Sequence, residues 1–401
     1  MITPILESKT NTLLEHPALC RKIQLNLHRN QKQDHTQKLD EAAQAFSYAT
    51  CKDEYWNPEE FSLFYGTLLW DESSPAQRII LNQLYWVAYY SQIISAEIAT
   101  IYFNQTSAAG LYAQEDFRQI CDMLDLESAQ ERAHINAFKT IATQVETALF
   151  GERLFSYPMR SPFTETMLFA DTNALKRRWK QLQLQTFGLL SAGNTFLACQ
   201  YFTVRGLRTL NGKLIQHKLS RYYQTHPDPD SAPIPAKISY YHFMDESFHF
   251  NSSTLLSHEV VTCLKPPTKF ESMVANLGIW GCQKDHYHFS AAINGIFWYD
   301  PALYSVVYRL LRSPLFDMED TEAKAMMRRC FTEESEGLHR SYQTHREAVD
   351  SYTVYLEKVG YAWKRNRDMA MMSKNSIEKY LQVQRRVFGK LHSCNLQQSL
   401  G

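Results

Sequence analysis

Residues 240–250 contain two histidines and a glutamate at helical spacing. On a helix, His242, Glu246 and His249 lie on one face, because residues three and four positions apart are neighbours. The residues around them are mainly aromatic or apolar, and such polar groups are costly to bury unless they are paired or bind a cation. A transition metal is the simplest partner for this set, and the alternative is a pair of ordinary structural histidines.

Two upstream features extend this pattern. Glu131 and His134 form a second Glu-x-x-His, and Glu97 is the one acid in the apolar segment 76–103. This order of a lone Glu and two Glu-x-x-His motifs on successive helices is the ligand layout of ferritin-like dimetal carboxylate bundles. Two irons held in this way would share the electrons needed to cleave O2, and manganese is the alternative metal. The sequence predicts a dimetal centre of Glu97, Glu131, His134, His242, Glu246 and His249.

The third core helix of such a bundle should also supply a carboxylate, but residues 172–227 contain no Asp or Glu. Gln200 is our candidate for the vacated ligand position, and Asn194 and Thr203 are further inward-facing candidates. A neutral ligand would raise the net charge of the site by one unit. It would also free a coordination position that an exogenous anion could fill.

Other histidine motifs favour structural interpretations. Glu336 and His339 form a third Glu-x-x-His in a polar, charged context, which we interpret as a solvent-exposed face. His286 and His288 form a cluster that we interpret as a structural or surface pair, with a second metal site as the alternative. Asp245 points about a quarter-turn away from Glu246 on a helix, which favours a hydrogen bond to a ligand histidine over direct ligation.

Long helices must position these residues, and helical periodicity dominates the chain. A helix should begin at Pro75, and the others should cover about 114–150, 172–223 with a kink near Gly188 or Gly193, and 238–263. Residues 10–50 indicate a polar helical arm, residues 268–318 are less periodic, and further helices follow to 392. We predict an all-α, ferritin-like long-helix bundle forming one domain over residues 1–401. Its metal-binding core covers about 76–265, with helical N- and C-terminal extensions.

Composition excludes several function classes. The 42 basic and 42 acidic residues balance, so nucleic acid and acidic membrane surfaces are not expected partners, and no apolar run is long enough to cross a bilayer. The eight cysteines are scattered without a Cys-x2-Cys pair, which favours reduced thiols. With no signal peptide at residues 1–7, a cytoplasmic location is expected. The basic residues of the acid-free stretch are interpreted as a solvated face, and docking of an acidic carrier protein or of the phosphate of a phosphopantetheine arm is the alternative.

The segment His242-x3-Glu246-x2-His249, together with Glu97 and Glu131-x-x-His134, resembles the AurF-type N-oxygenases, a branch of the ferritin-like diiron enzymes. The resemblance covers roughly residues 76–265. The missing acid on the third helix departs from that pattern. This absence and the segment 205–214 are more similar to the CylC-type dimetal halogenases of cyanobacterial natural-product pathways, which chlorinate unactivated carbons of fatty acyl chains.

This resemblance implies a diiron enzyme with O2 and chloride as co-substrates, the chloride lying near Gln200. The substrate would be an acyl chain on an acyl carrier protein or another acyl thioester, and an external donor would supply electrons. The alternatives are N-oxygenation or C–H hydroxylation by the same centre, and a non-catalytic helical binding protein. The sequence leaves a homodimer open.

Overall fold

The computed structural model describes residues 12–155, 174–291, 304–368 and 376–391. In these ranges every regular element is a helix, so the predicted all-α fold is confirmed. The α-helices are α1 (Pro17–Lys32), α2 (Thr36–Ala45), α3 (Tyr48–Cys51), α4 (Leu68–Glu72), α5 (Pro75–Tyr112), α6 (Arg118–Phe150), α7 (Ala174–Ala192), α8 (Thr195–Gln224), α9 (Ile234–Thr254), α10 (Lys269–Ala291), α11 (Tyr304–Arg312), α12 (Asp320–Thr332), α13 (Glu336–Glu357), α14 (Lys364–Arg367) and α15 (Ile377–Leu391).

Four long helices form the centre of the bundle. Helix α5 packs along α6 and α8 packs along α9, while α5 also contacts α8 and α6 contacts α9. Short connections join the members of each pair, so the paired helices run antiparallel. This arrangement directs one face of each helix to a common interior.

Helix α5 begins where the sequence predicts. The Ser74 hydroxyl accepts a hydrogen bond from the Gln77 amide, and the Gln77 side chain accepts one from the Ser74 amide. This capping box, with Pro75 in the first turn, fixes the start of the helix. The helix continues to Tyr112, nine residues beyond the apolar segment 76–103. Residues 81–90 are all buried, because α5 is apolar or aromatic around most of its circumference.

The predicted third helix, expected over 172–223 with a kink near Gly188 or Gly193, is divided into α7 and α8 at Gly193 and Asn194. The Asn194 side chain accepts a hydrogen bond of 2.9 Å from the Leu197 amide and so caps the first turn of α8. Its amide nitrogen donates to Glu271 on α10 at 2.7 Å. Asn194 is therefore a helix cap, which leaves it outside the interior set of side chains.

Two other helix predictions need correction. Helix α9 begins at Ile234 and ends at Thr254, where one π-helical turn, Leu255–Glu259, and one 3-10 turn, Val260–Cys263, replace the expected α-helix. Residues 268–318, expected to be irregular, contain α10 and α11. The side chains of His286 and His288 lie outside the described residues, so the interpretation of that pair stays a prediction.

The helical extensions pack on the bundle. Helices α1 and α2, within the predicted arm, contact α6 and α9. The largest hydrophobic cluster joins Leu39 of α2, Trp86 of α5, Phe331 of α12 and Phe388 of α15. The single-domain organisation stays a prediction that this shared cluster supports. Of the helices that the structure describes, none has the length and apolar character needed to cross a lipid bilayer.

Candidate metal centre

The six residues named from their spacing lie together in the middle of the bundle. Helix α5 supplies Glu97, and α6 supplies Glu131 and His134. Helix α9 supplies the other three side chains, which are His242, Glu246 and His249. All six are buried except Glu246, whose side chain keeps 12% of its surface exposed.

Glu97 and His242 define one side of the cluster. Glu97 Oε1 lies 3.1 Å from His242 Nε2 and 3.5 Å from His134 Nδ1. With Glu246, these residues form a group whose potential ligand atoms all lie within 4.8 Å of one another. Four donors at such separations can surround one cation.

His249 marks the other side of the cluster. Its Nδ1 lies 3.0 Å from Glu246 Oε1 and 3.3 Å from Glu131 Oε1, and these three residues form a second potential ligand group. Glu131 Oε2 also lies 3.4 Å from His134 Nδ1, and Glu246 belongs to both groups. Glu131 and Glu246 therefore lie between two adjacent positions for cations.

Two buried atoms of the cluster have no hydrogen-bond partner within the described chain. They are Glu97 Oε2 and His242 Nδ1. An unsatisfied buried polar atom is costly, and a carboxylate oxygen is satisfied by a cation as well as by a donor. Mixed carboxylate and imidazole donors suit first-row transition metals. The residues present therefore fit two such ions.

Three groups of the metal-free cluster have raised pKa values. Burial and the charge of Glu131 raise the pKa of Glu97 well above its usual value. Burial alone would lower the pKa of His134, but hydrogen bonds to Asp245, Glu131 and Glu97 raise it well above the usual value. Burial would also lower the pKa of His249, and the charges of Glu246 and Glu131 raise it. These shifts favour the protonated forms of the three groups, and bound cations would compete with those protons.

The other two shifted groups of the cluster stay free of protons. Burial raises the pKa of Glu131, but the charges and hydrogen bonds of His249 and His134 lower it below its usual value. Burial and the charge of His134 lower the pKa of His242 to about 3. His242 is therefore a neutral imidazole at neutral pH, which is the form that binds metals.

Asp245 forms a hydrogen bond with the outer nitrogen of His134, which is the ring nitrogen that faces away from the cluster. This contact confirms the predicted hydrogen bond. His134 Nε2 lies 3.2 Å from Asp245 Oδ2, and a carboxylate only accepts, so Nε2 carries the proton. Asp245 Oδ1 accepts from the backbone amide of His35 at 3.2 Å and from its Nδ1 at 3.0 Å. These contacts leave Nδ1 of His134 free to face the cluster, as in carboxylate–histidine–metal arrangements.

A different pair of residues holds His249. Its Nε2 donates to Gln130 Oε1 at 3.0 Å. Gln130 and Asn30 exchange two further hydrogen bonds of 2.8 and 3.1 Å between their side-chain amides. Asn30 and His35 both belong to the N-terminal arm, so the arm anchors the outer nitrogens of two cluster histidines. No periodicity signal marks Gln130, Asn30 or His35 in the sequence, because their role depends on how the arm packs.

Arg205 lies next to the cluster and corrects the predicted docking surface. Its side chain is 5% exposed and pairs with Glu127 on α6 at 2.6 Å. The guanidinium also donates to Asn104 on α5, and to Ser253 and the carbonyl of His249 on α9. A buried cation that joins all four core helices cannot contact a carrier protein. It also does not form part of a solvated face.

Gln200 lies on α8 and is fully buried, and both polar atoms of its side chain lack a hydrogen-bond partner in the described chain. On α8, Gln200 shares a helix face with Val204 and Leu207. Val204 lies beside Gly278 of α10, and Leu207 belongs to a separate hydrophobic core cluster. The opposite face presents Tyr201 and Arg205 to α5 and α6. The ligand role of Gln200 stays a prediction that this orientation does not favour.

The remaining Glu-x-x-His motif is exposed, as predicted. The His339 side chain keeps 54% of its surface exposed and lies 2.6 Å from the equally exposed Glu334. Glu336 pairs with Arg340 on the surface of α13. The motif sequence is the same as at Glu131 and Glu246, but no other donors converge on it among the described residues.

Comparison with known families agrees with this geometry. A family model described as acyl halogenase, CylC-like, matches residues 18–392. The match extends beyond the bundle core and includes most of both helical extensions. No curated protein and no solved structure matches the chain.

Proposed function

Because the chain belongs to the CylC-like acyl halogenase family, we propose that it is an O2-dependent dimetal enzyme that chlorinates an unactivated carbon of an acyl chain. The observation that carries this proposal is the buried cluster of three carboxylates and three imidazoles, in which two polar atoms lack partners. The metals are two irons, with manganese as the alternative.

The proposed reaction exchanges one C–H bond for one C–Cl bond. An acyl C–H group, chloride, O2, two electrons and three protons yield the chlorinated acyl chain and two waters. An external donor supplies the two electrons. When bound, the two irons supply the redox chemistry that reduces O2 and breaks the C–H bond.

The protein's own residues would bind the two ions, orient the ligand histidines and exclude bulk water. Glu97, His134 and His242 would hold one ion and His249 the other, with Glu131 and Glu246 shared between them. Asp245 and Gln130 fix the orientation of His134 and His249 through their outer nitrogens. Burial of these residues excludes bulk water, which protects reactive species from side reactions.

We propose an acyl carrier protein, or another acyl thioester, as the form in which the substrate arrives. The acid-free part of α7 and α8 carries the exposed cations Arg178, Lys218 and Arg221, of which Lys218 lies 3.9 Å from Glu347. The side chains of Lys176, Arg177 and Lys180 lie outside the described residues. Charge reversal at Arg221 should weaken binding of an acidic carrier and leave metal content unchanged.

The function is tested by reconstituting the protein anaerobically with ferrous iron, then adding an acyl-carrier substrate, reductant, chloride and O2. Mass spectrometry should detect a chlorinated acyl chain with wild-type protein. The His339→Ala variant, a matched control in the exposed motif, should be equally active, and Glu97→Ala should be inactive. A hydroxylated product that does not depend on chloride would instead indicate C–H hydroxylation. Protein that takes up no metal would indicate a binding protein.

A further inference from the structure

Two glycines in α8, Gly206 and Gly212, differ in the space around them. A Cβ added to Gly206 would overlap the hydroxyl oxygen of Tyr355, so close packing explains this glycine. A Cβ added to Gly212 would meet nothing closer than 3.7 Å. Glycine inside a helix costs about 1 kcal/mol relative to alanine. Close packing therefore gives no reason for glycine at position 212.

Gly212 lies beside the part of α9 that carries the metal cluster. Arg205, seven residues earlier on α8, donates to the carbonyl of His249 at 2.9 Å. His217, five residues later, packs its ring against Phe243 with the ring centroids 5.6 Å apart. Because α8 and α9 are antiparallel, the segment between Arg205 and His217 runs beside residues 243–249. Gly212 therefore lies between these two contacts, beside residues 243–249 of α9.

The open position at Gly212 faces the interior of the bundle. The added Cβ would lie 3.9 Å from the hydroxyl of Tyr89 on α5 and 3.7 Å from the side-chain amide nitrogen of Gln216. Tyr89 is fully buried, and its hydroxyl has no hydrogen-bond partner in the described chain. Two potential donors, a phenol and an amide, therefore border a space the size of a methyl group.

Tyr89 is close enough to the cluster to interact with it electrostatically. Burial raises the pKa of its phenol well above the usual value, and the charges of neighbouring phenols, Glu246 and Glu97 raise it further. The phenol consequently keeps its proton at neutral pH. A protonated phenol is available to donate a hydrogen bond to an anion.

The missing acid of α8 favours an anion in this region. A bundle with a fourth carboxylate ligand would hold one more negative charge beside the two ions, and α8 supplies no acid. A monovalent anion replaces that charge and is stabilised by its closeness to the cations. A halide is about the size of a methyl group, and it accepts hydrogen bonds from O–H and N–H groups.

We propose that the space beside Gly212, bordered by the Tyr89 hydroxyl and the Gln216 amide, is the halide-binding site of the metal-loaded protein. This assignment rests on the proposed dimetal halogenase function and names Gly212, in place of Gln200, as the position of the missing third-helix ligand. The absence of a side chain at residue 212 leaves the space in which the anion binds.

Bromide is the probe for this site, because its anomalous scattering distinguishes it from water. Crystals of protein reconstituted with iron, whose metal content is first measured by elemental analysis, are soaked in bromide. The expected result is a bromide peak beside Gly212 in wild type and none in Gly212→Ala, with iron content equal in the two. The alanine has room for its Cβ and should fold at least as stably as wild type.

Two further variants sharpen the test. Tyr89→Phe removes one donor to a charged acceptor and should weaken bromide binding about tenfold or more. Gly281→Ala in α10, where an added Cβ would have no neighbour within 4 Å, is the matched glycine control and should bind bromide like wild type. A bromide peak elsewhere, or unchanged bromide affinity in Gly212→Ala, would overturn the assignment while leaving the dimetal function intact. Protein without bound iron would refute the dimetal function itself.

Discussion

Two polar layers lie close together in the core of the bundle, and they differ in how their charges are balanced. In the first, which we call the arginine layer, Arg205 and Glu127 form one ion pair, and Arg205 donates to three further acceptors. The second is the metal cluster, where three carboxylates meet three imidazoles and Glu97 Oε2 and His242 Nδ1 have no partner.

The difference indicates which layer serves the fold and which serves chemistry. One cation and one anion compensate each other in the arginine layer, although Glu127 Oε1 has no hydrogen-bond partner in the described chain. The metal cluster brings three carboxylates and three imidazoles together without a permanent cation, and burial and the charge of Glu131 raise the pKa of Glu97. Burial alone therefore does not identify a functional site, whereas buried groups that lack internal compensation do.

The largest expected effect comes from breaking the arginine layer. Arg205→Met leaves the Glu127 carboxylate buried without its cation, and the free energy of unfolding should fall by about 3–5 kcal/mol. Chemical denaturation with and without metal measures this loss. Adding Glu127→Gln to the variant should recover part of the stability. If Arg205→Met were as stable as wild type, the structural role of this layer would be contradicted.

Removing a charged group from the metal cluster, unlike removing Arg205, should not destabilise the metal-free protein. Bound metal should stabilise the wild-type protein by about 3–4 kcal/mol when free metal exceeds the Kd by 100–1,000-fold. In metal-free protein, Glu97→Gln removes an acid that is costly to bury, so stability should be unchanged or higher. The variant should lose most of the stabilisation by metal. Thermal unfolding with and without ferrous or manganous ions compares the two proteins, and equal gains in both would count against Glu97 as a ligand.

Metal affinity should rise with pH. The pKa values of Glu97, His134 and His249 are raised in metal-free protein, so these groups hold protons that metal binding releases. Affinity should therefore still be rising above about pH 6.5, where an unperturbed histidine would already be neutral. Each proton released contributes about a tenfold gain per pH unit. Calorimetric titration in buffers of different ionisation enthalpy counts these protons, and zero release would contradict the account.

The hydrogen bonds behind the histidines should have a smaller effect. Asp245→Asn replaces one of the two accepting oxygens by an amide group that donates, and Gln130→Ala removes the acceptor of His249. Each should weaken metal binding about 10–100-fold. Competition with a chelator measures the change. Asn30→Ala acts only through Gln130 and should cost less than Gln130→Ala. The reverse order would show that the arm does not orient His249 in this way.

The exposed motif on α13 should show the smallest effect. Glu336→Ala with His339→Ala removes side chains that lie on the surface, and stability should change by less than about 0.5 kcal/mol. Metal content should equal that of wild type. Loss of a bound metal in this variant would mean that the Glu-x-x-His sequence matters more than its burial.

Local sequence signals predicted much of the fold. The capping residues before α5 fixed its first turn, and α6 ends at Phe150 as predicted, followed by Gly151 with a φ of 70°. Spacing of three and four residues placed His242, Glu246 and His249 on one face. Their convergence with Glu97 was expected from the ferritin-like order of the motifs on successive helices. The role of these residues as ligands stays a prediction.

Features that depend on helix phase and packing were harder to predict. The break at Gly193 and Asn194 starts a new helix, so the inward face of α8 does not follow from a continuous helix that begins near Thr172. The orientation of Gln200 on α8 therefore does not favour its predicted ligand role, which stays a prediction. The contacts of Asn30 and His35 depend on packing of the arm, which no short-range pattern encodes.

The most direct test of the metal cluster is anomalous diffraction at the iron edge from anaerobically reconstituted crystals. The account predicts two iron peaks, one beside Glu97, His134 and His242 and the other beside His249, with Glu131 and Glu246 between them. Crystals with no iron at these residues, or with iron only at the exposed Glu336 and His339, would contradict it.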